Sequence, residues 1–189
     1  MKQKTTKKKE SDFEGLTTNN PEIIYGSPKS LDEKDINLLL LLEQNARTPL
    51  SKLSGKIGLS RDAIKYRIER LLKQKILLKF TTIANPPNLG FTNISFVMFQ
   101  LWNLDTKQEE SFVKYFENHP NITYVAKVSG RWNYKIEITA KNPGDFDEIF
   151  TTIRRKYPGI IKEYEITTLL KEYKMSYIPY KESVLAQKH

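Results

Sequence analysis

The 21 aromatic residues of this 189-residue chain are spread very unevenly: residues 31–83 hold two of them, Tyr66 and Phe80, whereas residues 84–189 hold 17. Charge shifts at the same place, from 11 basic against six acidic residues over 31–83 to 14 against 12 over 84–189, so the two stretches read as separate domains. Pro86-Pro87 followed by Gly90 falls at the change and breaks any helix or central strand. At roughly 150 residues per domain the length has room for two small domains. The expected division is a tail over 1–30, a helical domain over 31–83, a connector over 84–90, a mixed domain over 91–180 and a C-terminal tail over 181–189.

Charge narrows the function. Lys plus Arg number 31 against 22 Asp plus Glu, a formal net charge of +9, which predicts a polyanionic partner with nucleic acid foremost. There is no Cys, which excludes a disulfide framework, a thiol nucleophile and a Cys-ligated metal. No metal or cofactor is expected: the chain has two His, no Gly-rich phosphate loop and no paired carboxylates at ligand spacing. The longest apolar run, Leu38–Leu42, is far short of the ~20 residues that cross a bilayer, and the expectation is a cytoplasmic protein with no membrane partner. Residues 1–30, with six Lys against four acids and no apolar period, read as a flexible, mildly basic tail. Its Lys2, Lys4, Lys7, Lys8 and Lys9 either add phosphate contacts or serve only to solubilise.

Residues 31–83 show three short helical patterns. Asp32 caps the first, with Asp35 completing a capping box and Leu31 and Ile36 a hydrophobic staple, and the pattern runs to about Ala46. Thr48-Pro49 signals a second start, with Leu50, Leu53 and Ile57 on one face and Gly58 as its stop. Ser60 caps the third, whose stripe is Ile64, Ile68, Leu71 and Leu72. Ile76–Ile83 suits a small strand or wing.

Between Arg47 and Lys79 there are ten basic residues against two acidic ones. At ~100° per residue, Tyr66, Glu69, Arg70 and Lys73 of the third helix fall far from the Ile64 stripe, which leaves a polar face free to enter a DNA groove. Ser60, Arg61 and Lys65 stand in its first turns, where a recognition helix meets base edges. The expected DNA-binding residues are Lys52, Lys56, Ser60, Arg61, Lys65, Tyr66, Arg70 and Lys73, although Lys52 and Lys56 equally fit a solvated face. Arg67 lies about 60° from the stripe and reads as an ion-pair partner of the first helix.

The second half changes period. Strands are expected over Gly90–Leu101, Ile122–Val128, Tyr134–Ala140 and Ile160–Leu170, with helices over Thr106–Asn118 and Asp145–Lys156. That β-α-β-β-α-β order is the ferredoxin-like arrangement. The first strand is apolar on both faces, so helices should cover one face and a second copy of the chain the other. Tyr173, Met175, Tyr177, Ile178 and Tyr180 read as an aromatic segment packing on that dimer.

These residues carry a resemblance. Leu31-Asp32-(x2)-Asp35-(x3)-Leu39-(x2)-Leu42-(x2)-Asn45-Ala46-Arg47, then Leu53, Gly58-Leu59-Ser60, Ile64, Arg67-Ile68 and Leu71, resembles the N-terminal helix-turn-helix of the Lrp/AsnC, or feast/famine, transcriptional regulators. Residues 90–170 are similar to that family's ligand-sensing, dimerising domain, including His119-Pro120 and the loop Gly130-Arg131-Trp132-Asn133. The resemblance implies an α+β protein with an N-terminal winged helix-turn-helix and a C-terminal ferredoxin-like domain. It also implies a homodimer often assembled further, and a small, amino-acid-like effector held near Gly130, Arg131, Trp132 and Asn133. That loop equally reads as a tight hairpin turn. The chain departs from the family's pattern at Lys75, where Gly is usual after the recognition helix, at Ser54 in place of a small Ala, and at Asn133 in place of Asp. A left-handed Lys75 would cost ~1 kcal/mol.

Two other functions stay beside the regulator. One is an architectural DNA binder without effector. The other is an enzyme similar to siroheme decarboxylases, which share the two-domain architecture but rely on His and Arg of the second domain. Here the only histidines are His119, at a helix end, and the terminal His189, so no acid–base constellation is visible and the chain reads as a non-enzyme.

Overall fold

A computed structural model describes residues 28–102 and 104–179. The chain forms two compact units. Lys2, Lys4, Lys7, Lys8, Lys9, Tyr180, the tail over 181–189 and His189 lie outside the described residues.

The first unit holds α1 (Glu33–Gln44), α2 (Leu50–Ile57) and α3 (Arg61–Lys73). The capping box at the start of α1 is formed: Asp32 Oδ1 accepts from the Asp35 amide at 2.8 Å and Asp35 Oδ2 from the Asp32 amide at 3.2 Å. The helix ends at Gln44, two residues before the expected Ala46. Asn45 turns extended, its side chain accepts from the Arg47 amide at 2.9 Å and its carbonyl from the Thr48 amide at 3.0 Å, so a polar turn replaces the next helical turn. That turn also takes Thr48, whose hydroxyl donates to Asn45 O at 2.7 Å. Pro49 therefore occupies the cap position of α2, with no side-chain cap, in place of the expected Thr48. Gly58 closes α2 in the left-handed conformation at φ 70°.

The core of this unit is aliphatic: Leu38, Leu39, Leu42, Leu53, Ile64 and Leu71. Ile68 packs against it, but Leu72 is exposed, because its position on α3 carries it past the edge of the contact with α1 and α2. The expected wing is not formed. Ile76 and Leu77 fold back under α3, both amides bonding Leu71 O, and residues 76–83 contain no strand, since a lone strand with no ladder partner leaves its backbone to water. Lys75 makes this exit with φ 56°, so it keeps the left-handed conformation in spite of the steric cost that pointed to a different exit.

Residues 172–179 also belong to this unit, although the sequence assigns them to the second domain. Ile178 packs against the aliphatic core, and Glu43 Oε1 accepts from the Ser176 hydroxyl at 2.7 Å and the Tyr177 amide at 3.2 Å.

The second unit begins with a short 3-10 helix at Pro86–Leu89, which with left-handed Gly90 delays the first strand to Asn93. Its elements are β1 (Asn93–Leu101), α4 (Thr106–Glu117), β2 (Ile122–Lys127), β3 (Tyr134–Ala140), α5 (Pro143–Lys156) and β4 (Ile161–Thr168). The sheet order is β2-β3-β1-β4 with every neighbouring pair antiparallel, the expected ferredoxin-like topology. Asn142 caps α5, so this helix starts two residues before the expected Asp145. One sheet face, carrying Val97, Phe99, Ile136 and Ile138, packs on Phe112 and Phe116 of α4 and on Phe150 and Ile153 of α5. Phe99 stacks on Phe116 and Phe150 with centroids 5.9 and 6.4 Å apart and meets Phe112 edge-on at 5.9 Å. The other face is only half-buried: Ile94, Phe96 and Met98 of β1 line it, and Lys135 Nζ lies 4.1 Å above the Phe96 ring.

Candidate nucleic-acid interface

The third helix has its start and its roll set separately. Ser60 Oγ accepts from the Ala63 amide at 3.2 Å and opens α3 one residue after the Gly58-Leu59 turn. Its roll is set from α1. Arg67 Nη1 donates to Asp32 Oδ2 at 2.7 Å and to Asp35 Oδ1 at 2.6 Å, and Arg70 Nη2 pairs with Asp35 Oδ2 at 2.5 Å. The Asp35 side chain is only 2% exposed, so one buried carboxylate faces two guanidinium groups. Burial opposes ionisation of Asp32, but the Asp35 amide and the Arg67 guanidinium hold its carboxyl below the ordinary value. The bond to Asp32, working against burial, raises Arg67 above its own ordinary value.

Arg67 thus has the ion-pairing place the helical angle assigns it. Arg70 does not stand where the sequence puts it. It lies one turn from Arg67 on the same flank, and its long side chain swings back to Asp35, with Nε buried and unpaired. The acidic anchor is the part that sequence reasoning missed. Asp35 reads as a capping residue alone, although an acid on α1 and Arg67 three residues before Arg70 were the available signal.

With that flank anchored, the opposite flank is bare. Lys52 and Lys56 of α2, Ser60, and Arg61, Lys65, Tyr66 and Lys73 of α3 are all exposed, Tyr66 at 65%. Among the described residues Lys52, Lys56, Arg61 and Lys73 have no ion pair, and Lys65 has only the loose contact of 4.0 Å with Glu69. The surface holds cations, a helix N-terminus and one aromatic ring beside two exposed acids, Asp62 and Glu69, and its cations and amides are the donors that meet phosphates and base edges in a major groove.

The Gly130 loop of the second unit is a tight turn. Gly130 has φ 121°, Val128 N donates to Asn133 O, and Asn133 N donates to Phe99 O, both at 2.8 Å. Asn133 also accepts the Leu101 amide at 2.7 Å, so its side chain ties the loop to β1. Arg131 lies 4.7 Å above the Trp132 ring and 3.3 Å from Glu163 Oε2. These two side chains, with Arg154, Lys162 and Tyr164 from the end of α5 and the start of β4, line a cleft of about 440 Å³. Sequence reasoning missed the last three because they lie more than twenty residues from the loop that meets them.

His119 has a structural post. Its Nδ1 accepts the Asn121 amide at 3.2 Å, its ring meets Tyr115 at 5.5 Å, and burial lowers its pKa. No group of three or more potential metal-ligating side chains exists among the described residues. No described helix is long and apolar enough to cross a membrane.

Comparison with known proteins agrees across both units. Residues 31–72 match the AsnC-type helix-turn-helix domain and residues 94–179 the Lrp/AsnC ligand binding domain. An HTH-type transcriptional regulator of Pyrococcus horikoshii is 28% identical over 133 residues, covering 70% of this chain and 89% of that protein. Another from Pyrococcus abyssi is 28% identical over 132 residues, covering 69% and 84%. An AsnC family transcriptional regulator from Agrobacterium tumefaciens superposes with a TM-score of 0.73 at 15% identity, covering 81% of this chain and 99% of that one. A Neisseria meningitidis transcriptional regulator, solved as a complex with L-Met, gives 0.71 at 19% identity, covering 79% and 97%.

Proposed function

Because this chain belongs to the Lrp/AsnC family of transcriptional regulators, we propose that it binds duplex DNA sequence-specifically through α3 and acts as a regulator, not an enzyme. The observation that carries this reading is the division of α3 into an anchored flank, with Arg67 and Arg70 on Asp35, and a bare flank of Ser60, Arg61, Lys65, Tyr66 and Lys73. In this reading Arg61 and Lys65 contact base edges, Lys73 meets a phosphate, and Lys52 and Lys56 are positioning contacts. Arg70 serves the anchor.

The protein works in the cytoplasm as a homodimer that assembles further. The half-buried sheet face with Ile94, Phe96 and Met98 supports pairing with a second copy, and a two-fold pair would set two α3 helices in successive major grooves. A small-molecule effector acts at the Gly130 loop. The ligand-binding family match and the L-Met bound to the Neisseria regulator support that role.

The test is fluorescence anisotropy of the full chain on duplex DNA from upstream of its own gene and on scrambled duplex, at two salt concentrations. A preference for the upstream duplex that survives the higher salt is the expected result. Equal, steeply salt-dependent binding would replace the regulator with an architectural DNA binder, and absence of binding would overturn both.

A further inference from the structure

The cleft beside the Gly130 loop has a charge pattern of its own. Three cations line it, Arg131, Arg154 and Lys162, against one acid, Glu163, and that acid is already 3.3 Å from Arg131. Among the described residues Arg154 and Lys162 have no ion pair. What steadies the cations instead is aromatic surface. Arg131 lies over Trp132, the Arg154 guanidinium is 5.7 Å from the Phe150 centroid and donates to Tyr164 Oη at 2.9 Å, and Lys162 Nζ is 5.1 Å above Trp102. A cation resting on a ring keeps N–H donors for an anion, whereas one held by a carboxylate has largely spent them.

The volume of about 440 Å³ is that of a small-molecule site, and Trp132, Tyr157 and Tyr164 supply apolar wall. The one carboxylate in the lining, Glu163, already faces Arg131, so an ammonium group would meet three cations and no free acid.

We propose that this cleft binds a small dianionic ligand, its oxyanion groups on Arg154 and Lys162 and an apolar body against Trp132, rather than a zwitterionic amino acid. The proposal rests on the effector reading of the Gly130 loop and assigns that site its ligand class. Phosphate and dicarboxylate headgroups share this chemistry.

Three probes with the same ring separate the headgroups: phenyl phosphate, phenylsuccinate and phenylalanine. Calorimetry on the unaltered full chain is the first measure; the chain has two Trp, so full-length protein carrying Trp102→Phe, which keeps a ring beside Lys162, reports from Trp132 alone as the second. The expected result is a saturable change in Trp132 emission with phenyl phosphate, phenylsuccinate or both. The responding probe identifies the headgroup, and potassium chloride at matched ionic strength should give no change. Arg154→Gln should weaken that binding at least tenfold and Arg154→Lys restore part of it; Lys162→Gln provides a second route if Arg154→Gln does not fold.

Binding of phenylalanine alone, unaltered in Arg154→Gln, would overturn the dianion class and leave the effector reading of the loop standing. No saturable response to any of the three by either method would overturn the cleft as a binding site, while the anisotropy experiment decides the regulator reading independently.

Discussion

The two units of this chain handle positive charge in opposite ways. In the helical unit cations are sorted: Arg67 and Arg70 go to a carboxylate with almost no solvent exposure, and Arg61 and Lys73 have no ion pair among the described residues. In the sheet unit the cations of the cleft lie on rings of an aromatic-rich fold, Arg154 by Phe150 and Lys162 on Trp102 with no ion pair among the described residues, and Arg131 on Trp132 with Glu163 3.3 Å away. The cores explain the difference. An aliphatic core offers no surface that attracts a cation, so orientation there needs a buried acid, whereas an aromatic unit presents ring faces that hold a cation without neutralising it. Net charge alone would have treated the two surfaces as one property of the molecule.

The largest effects should come from removing the device that organises each unit. Asp35→Ala leaves two guanidinium groups beside a vacated buried site and is expected to destabilise the helical unit by ~3 kcal/mol, read by urea denaturation. Phe99→Ala, which opens the ring cluster, should cost the sheet unit ~3–5 kcal/mol in the same experiment. If Asp35→Ala leaves the unfolding curve unchanged, the anchor is incidental and the contrast between the units fails.

Next in size is DNA binding. Arg61→Ala should cost ~1–3 kcal/mol on the specific duplex and relax preference at one base pair. Lys56→Ala should weaken all sequences alike and reduce the salt slope by ~1. Equal losses on specific and scrambled duplex for both variants would remove the distinction between reading and positioning cations.

A smaller effect is expected at the exit of α3. Lys75→Gly should stabilise the protein by ~1 kcal/mol in thermal unfolding, because glycine adopts φ 56° without the Cβ penalty. A loss of stability would mean that the Lys75 side chain contributes more than its backbone strain costs.

The smallest effect concerns acid. The Asp32 carboxyl lies below its ordinary value of 3.8, so its contribution to stability is fully present above that value and is lost as pH falls through the lower, folded value. Asp32→Asn should therefore narrow its stability deficit relative to the parent chain only in that acidic window, as followed by circular dichroism. A deficit that stays constant down through the window would show that Asp32 acts through its capping geometry and not its charge.

Most of the architecture is legible from local signals. The Asp32 and Ser60 caps, the Gly58 stop and the strand and helix order of the second unit all follow from short-range steric and hydrogen-bond rules that operate on a few adjacent residues. The misses have longer reach. The Ile76–Ile83 wing fails because a strand needs a partner that adjacent residues cannot supply, and the segment at 172–179 joins the helical unit through Glu43, more than 130 positions away.

The candidate sites divide the same way. Composition and helical angle alone determined that α3 would carry a basic, solvent-facing surface, because amphipathic period is a property of the sequence. For Arg67 the helical angle was enough, but the place of Arg70 was decided only in three dimensions. Arg70 lies ~40° in angle from Tyr66, which stays exposed, and what separates the two is the carboxylate of Asp35, brought within 2.5 Å of Arg70 by the packing of α1 on α3. The cleft cations are likewise joined only by tertiary structure, since the β2–β3 turn and the α5–β4 turn become neighbours through strand order, a non-local pairing with no signature in either segment.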